Sequence, residues 1–147
     1  MSDRYPRGAA YHEAGHAVVA WSFGLQVQAV HVSDDDASGG AKIADADQLP
    51  LVEHIAVCSA GIAAEAIFGH PSHELAGFND HLRIFDLLEE AGISEDDGQG
   101  KTRRDEGYNV ARARLEAHKG KVIRLAERLV ERGRVDGSEF LQLMTPG

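Results

Sequence analysis

Cysteine is nearly absent from this chain. Cys58 is the single one in 147 residues, so no intrachain disulfide can form, and a zinc site built from several thiolates is excluded. It falls in the apolar run Ile55, Ala56, Val57, Cys58 and reads as a small core residue rather than a nucleophile or ligand. No apolar run approaches the roughly 20 residues that span a bilayer, and the opening MSDRYPRG lacks a signal-peptide core. The expectation is a cytoplasmic protein without a membrane partner. Basic side chains are scarce early on: residues 1–100 carry 4 against 17 acidic ones, while 101–147 carry 11 against 7. That acidic bulk argues against a nucleic-acid partner. The phosphate-binding pattern GxxxxGK[ST] is missing too, so nothing in the chain reads as an ATPase.

An HExxH motif is present, formed by His12, Glu13 and His16. Residues four apart lie on one face of a helix, one turn up, so both imidazoles can reach the same cation. Glu13 is offset from the pair, near enough to act on a water at that cation without being a ligand. With eight His and twelve Glu in 147 residues, chance yields about 0.03 such matches, so the motif reads as a metal site rather than as two polar residues on a half-buried helix.

Length, 43% apolar residues and a mean hydropathy of −0.29 fit one globular domain over 1–147. The spacing of Tyr11, Ala14, Val18 and Trp21 predicts a helix over 8–23 that carries the motif, ending at Gly24. Segment 25–31 and the stretch 41–44 read as strands flanking an acidic, Gly-rich turn at 34–40. Pro50 opens a helix to Phe68, with Leu51, Ile55, Cys58, Ile62 and Ala66 on one stripe and Gly69 as its stop. Its alanines and Gly61 predict close packing against another helix. Residues 70–79 read as a loop, with Asn79 or Asp80 capping a helix through Leu88, and 92–100 as a connection. Two helices are expected over 105–132, broken near residues 118–120, the second with Val122, Leu125, Ala126 and Leu129 inward. Arg124, Glu127, Arg128, Glu131 and Arg132 interleave in sign like a solvated face. Asp136 and Glu139 resemble a capping pair for a last short helix. The fold class expected is mainly α (α+β), with a small two- or three-stranded sheet beside the HExxH helix.

A catalytic zinc takes three protein ligands and leaves a fourth position to water, so the two histidines need a partner downstream. The metzincin pattern fails, because Val19 and Ser22 stand where it requires Gly and His. Glu53, Glu65, His70, His73, Glu74, Asp80 and His81 stay open.

The segments AAYHEAGHAVVAW (9–21), AGIAAEAIFG (60–69), AGFNDHLRIFDLL (76–88) and LEAHKGKVIRLAERLVERGRVDGSEFLQL (115–143) resemble, in order, the peptidase domain of the FtsH-type ATP-dependent zinc metalloproteases. The resemblance implies a helical zinc-peptidase domain whose third ligand is the aspartate of the Asn-Asp pair, here Asp80, with His81 and Glu74 as substitutes. It implies Glu13 as catalytic base and an edge strand near Gly40, Ala41, Lys42, Ile43 and Ala44 where an extended peptide adds by backbone pairing. Of the family's paired glutamates only Glu65 remains, with Ala64 at the other position; Glu65 is the candidate for supporting a ligand from behind. His54, His70 and His73 are expected at the surface or behind the ligands.

The implied activity is hydrolysis of peptide bonds in flexible or unfolded polypeptides, with zinc as cofactor and without ATP. The alternative is a zinc-stabilised binding or regulatory domain of the same fold with little or no turnover. The family's hexameric rings imply a homo-oligomer, or a separate ATPase partner, as further expectations.

Overall fold

Residues 4–34, 39–94 and 98–145, apart from the side chains of Glu74 and Leu75, are described in a computed structural model. Helix α1 (Arg7–Ser22) follows Pro6, whose φ of −59° is set by its ring, and closes before Gly24 at φ +86°. Gly8, Ala9, Ala10, Ala14, Gly15 and Ala17 keep its girth small, and twelve of its sixteen residues are buried. A helix buried nearly all round belongs in the centre of a fold. Two helices and the sheet make its main contacts.

The first is α2 (Leu51–Phe68), capped by Gly69 in the left-handed region. It crosses α1 closely: a Cβ on Gly15 would stand 2.5 Å from the Ala60 carbonyl oxygen and 2.7 Å from the Ala64 methyl. The small residues Ala56, Ser59, Ala60, Gly61, Ala63 and Ala64 are buried, as the expected close packing requires, and of the expected stripe Ile55 is fully buried while Ala66 is exposed. Close helix contact selects small side chains, and the bulkier stripe is left to a different neighbour. By length and hydropathy, 18 residues at 1.6, α2 is apolar enough to cross a membrane, but 56% of it is buried inside the fold.

The second element is α5 (Lys119–Arg132), which presents Val122, Leu125, Ala126 and Leu129 to α1 as expected, all fully buried. The third is the sheet, ordered β2-β1-β3 and antiparallel throughout. Strand β1 (Val27–His31) pairs Val30 with Ala41 of β2 (Gly40–Ile43) and with Val135 of β3 (Arg134–Asp136). β3 is only three residues long and leaves no periodic signature to read. The architecture is thus mainly helical with a small three-stranded antiparallel sheet.

Helix α3 (Glu74–Glu90) starts at Glu74, so Asp80 sits in its second turn and not at its cap. Gly77 does not break it, for that glycine faces Ile62 of α2 at ordinary contact distance, 3.5 Å for a Cβ. Ile84, Leu87 and Leu88 join Ile55 in a second apolar cluster, against which the half-buried Cys58 packs. Helix α4 (Gln99–Ala117) begins six residues before Asp105, and the break before α5 falls at His118, with Gly120 inside α5. Residues 35–38 of the acidic turn and 95–97 of the expected connection lie outside the described residues.

Asp136 does cap α6 (Gly137–Met144), accepting from the Glu139 amide at 2.8 Å. The charges on α5 are not merely solvated: Glu127 pairs with Arg7 and accepts from Tyr11, while Arg128 and Arg132 pair with Glu139. Such partly exposed pairs contribute about 0.2–1 kcal/mol each, against about 1.5–3 for each buried Leu or Val, so packing dominates.

Gly107 of α4 lies on Ile55, where a Cβ would stand 2.4 Å from Ile55 Cγ2 and 3.2 Å from the Ala56 nitrogen. Gly107→Ala is expected to lower stability by about 1–3 kcal/mol. Denaturant unfolding should show a lower midpoint at unchanged slope.

Candidate metal centre

His12 and His16, one turn apart on α1, point into the crossing with α2. The His16 Nδ1 lies 2.6 Å from the Val57 carbonyl oxygen, and a carbonyl can only accept, so His16 carries its proton on Nδ1. The His12 Nδ1 lies 2.5 Å from Glu65 Oε2. Burial pushes the Glu65 carboxyl up, but hydrogen bonds from His12 and from the amide and hydroxyl of Ser72 outweigh it and hold the group below the usual range. Glu65 is therefore an ionised acceptor, and His12 too carries its proton on Nδ1. Both imidazoles turn an Nε2 lone pair toward the same point.

There the two Nε2 atoms stand 3.1 Å apart, and Asp80 Oδ2 reaches in at 2.9 Å from His12 and 3.1 Å from His16. With both rings neutral, three acceptor atoms thus converge without a donor among them. Without a metal only protons can reconcile them. Burial lowers the His12 pKa, but Asp80 and Glu65 outweigh it and hold it at about 10. His16 is likewise raised, burial opposing and Asp80 prevailing. Asp80, which burial alone would raise, is held far below the carboxylate range by His16 and His12. Two imidazolium N–H groups crowding one carboxylate is a poor substitute for a single divalent cation.

Glu13, 8% exposed, also brings a carboxylate oxygen within 4.8 Å of both histidine ligand atoms, and His12, Glu13 and His16 form a buried group able to hold a metal ion. Asp80 is nearer to both nitrogens, which leaves Glu13 beside the point of convergence rather than in it. Burial raises the Glu13 carboxyl, only partly offset by His16 and His12. Its Oε2 lies against the start of β2, where a Cβ on Gly39 would stand 3.0 Å away.

The open cleft over these groups is walled by Gly40, Ala41 and Ile43 of β2, by Val57 and Cys58 of α2, and by Ala76 and Asn79 of α3. Of the five expected strand residues, Lys42 points away, exposed, and Ala44 lies past the strand, its amide bonded to Gln26. Burial pushes the Cys58 thiol up to about 12, with the charge of Asp80 adding to it, so it stays protonated. His70 stacks on Tyr11 with ring centroids 4.7 Å apart, His81 lies exposed beside Arg104, and His73 is exposed. His54 is buried rather than at the surface, and burial lowers its pKa. The Glu74 side chain lies outside the described residues.

Two contributors left little mark in the sequence. Ser72, in the short loop before α3, braces Glu65. Gly61 makes room for the centre: a Cβ there would stand 2.5 Å from His12 Nε2 and 2.6 Å from His16 Nε2. A glycine within a helix costs about 1 kcal/mol relative to alanine, which marks Gly61 as a place of close packing but not as part of a metal centre.

No protein-family model matches the chain, and no curated protein matches it significantly. Gly61→Ala is expected to abolish tight metal uptake with the helical content kept. Metal analysis and far-ultraviolet circular dichroism on the same sample check this; undiminished uptake would remove Gly61 from the centre.

Proposed function

We propose that the chain is a zinc-dependent metallopeptidase that hydrolyses peptide bonds in flexible polypeptides. The observation that carries the reading is the convergence of the His12 and His16 Nε2 atoms and Asp80 Oδ2, with the Glu13 carboxylate beside them in an open cleft. Their mutual distances of 2.9–3.1 Å approach the roughly 3.3 Å that separates tetrahedral ligands each about 2.0–2.1 Å from zinc. Two imidazoles and one carboxylate suit zinc among the divalent metals and match the ligand sets of catalytic rather than structural sites.

Zinc bound there supplies Lewis acidity, which acidifies water and polarises a carbonyl. The chain's own groups do the rest. His12, His16 and Asp80 hold the ion, and Glu65 and the Val57 carbonyl fix the two rings. Glu13 takes a proton from the attacking water and returns it to the leaving amine; burial raises its carboxyl above the ordinary range, which strengthens it as a proton acceptor. The edge strand β2 offers backbone groups along one side of the cleft, so an extended peptide can pair there while a folded one cannot. Flexible substrates follow from that wall.

A zinc-stabilised binding domain is the rival reading, and Glu13 argues against it, because a purely structural ion needs no base at its side. Glu13→Gln is expected to keep zinc and lose about 100- to 10,000-fold in the rate of casein cleavage. Wild-type rates in that variant would take Glu13 out of the mechanism, and a wild-type protein that binds zinc without cleaving any unfolded substrate would favour the rival.

A further inference from the structure

We propose that Ser72 is a positioning residue for the metal centre, acting on His12 through Glu65. This rests on the reading of the His12, His16 and Asp80 cluster as a metal site. The Ser72 amide donates to Glu65 Oε1 at 2.7 Å and its hydroxyl to Glu65 Oε2 at 2.8 Å, and that same Oε2 holds His12 Nδ1. One residue thus fixes both oxygens of a long, otherwise pliant carboxylate. The hydroxyl has a single proton to give; its other neighbour, the His73 carbonyl oxygen, is 3.5 Å away, so the carboxylate takes it.

The loop that carries Ser72 is tied at both ends. Gly69, at φ +73°, and His70 both donate to the Glu65 carbonyl, so the chain leaving α2 after Phe68 is tied to the backbone of Glu65 and then, at Ser72, to its side chain. It is also fitted to α1 one turn before His12. A Cβ on Gly8 would stand 1.9 Å from the Pro71 oxygen and 3.0 Å from the Ser72 Cα, and the His70 ring lies on Tyr11. The helix that carries His12 therefore also seats the residue that orients it. Ala64, beside Glu65, offers no second carboxylate, so the orientation of His12 depends on this single brace. The brace keeps the Nδ1 proton of His12 pointed at Glu65, and so keeps the Nε2 lone pair aimed into the cleft.

Zinc affinity, read by competition with a chromogenic chelator, tests this together with the thermal midpoint of the metal-free protein. Ser72→Ala is expected to bind zinc about tenfold more weakly at an unchanged midpoint, since the backbone donor to Oε1 remains. Ser72→Thr, which keeps the hydroxyl, should restore wild-type affinity. In a Glu65→Gln background the Ser72→Ala change should cost nothing further, because the group it acts through no longer holds His12 in the same way. Unchanged affinity in Ser72→Ala overturns the proposal, as does an equal loss in both backgrounds or a loss that merely follows a lowered midpoint. A wild-type chain that takes up no zinc removes the metal reading and this inference with it, whereas zinc bound equally by wild type and Ser72→Ala removes the inference alone.

Discussion

Two imidazole nitrogens and a carboxylate oxygen are held within 3.1 Å of one another at the crossing of α1 and α2, where only added protons or a cation can reconcile them. Leaving such groups buried and uncompensated costs several kcal/mol, and the protein has fixed the outer nitrogen of each imidazole so that neither can turn its proton inward without losing a partner. The rest of the site follows from that arrangement. Asp80 must stay ionised, Glu65 must stay ionised to hold His12, and the Val57 carbonyl must face His16. A divalent cation satisfies all three inward atoms at once.

The fold allows this by giving up side-chain volume. Gly15 lets α1 meet Ala60 and Ala64 at backbone distance, and Gly61, one position on from Ala60, leaves the space that both Nε2 atoms occupy. The same close approach lets groups of α2, Val57 and Glu65, reach histidines of α1 from behind. Asp80 comes from α3, whose apolar anchoring to α2 through Ile84, Leu87 and Leu88 sets its height over the cleft. Packing and chemistry are therefore not separable in this molecule.

How much of this was legible beforehand depended on whether a feature repeats. His12, Glu13 and His16 were readable because helical periodicity brings them together from one short segment, and the α5 stripe from Val122 to Leu129 was readable for the same reason. The α2 stripe is legible in part: Ile55, with Leu51 and Cys58, packs in the second apolar cluster toward α3, and the alanines and Gly61 make the expected close crossing, while Ala66 is exposed because it faces neither neighbour. Asp80 is named by the resemblance and lies on a helix: Gly77 and Asn79 signal a loop locally, but α3 runs through both, with Gly77 set against Ile62 of α2. Ser72 and β3 had no local pattern, since each owes its place to a partner far along the chain or across the sheet.

Under the proposed reading, Glu13 is the group that would separate an enzyme from a mere metal site, since its carboxylate stands beside His12, His16 and Asp80 and against the start of the edge strand. Anomalous scattering at the zinc edge from a zinc-loaded crystal locates the ion. One peak is expected, about 2.0–2.1 Å from His12 Nε2, His16 Nε2 and an Asp80 carboxylate oxygen, with water in the fourth position. A peak elsewhere in the molecule, or a fourth position filled by Glu13 or by Cys58 sulfur, would contradict that arrangement.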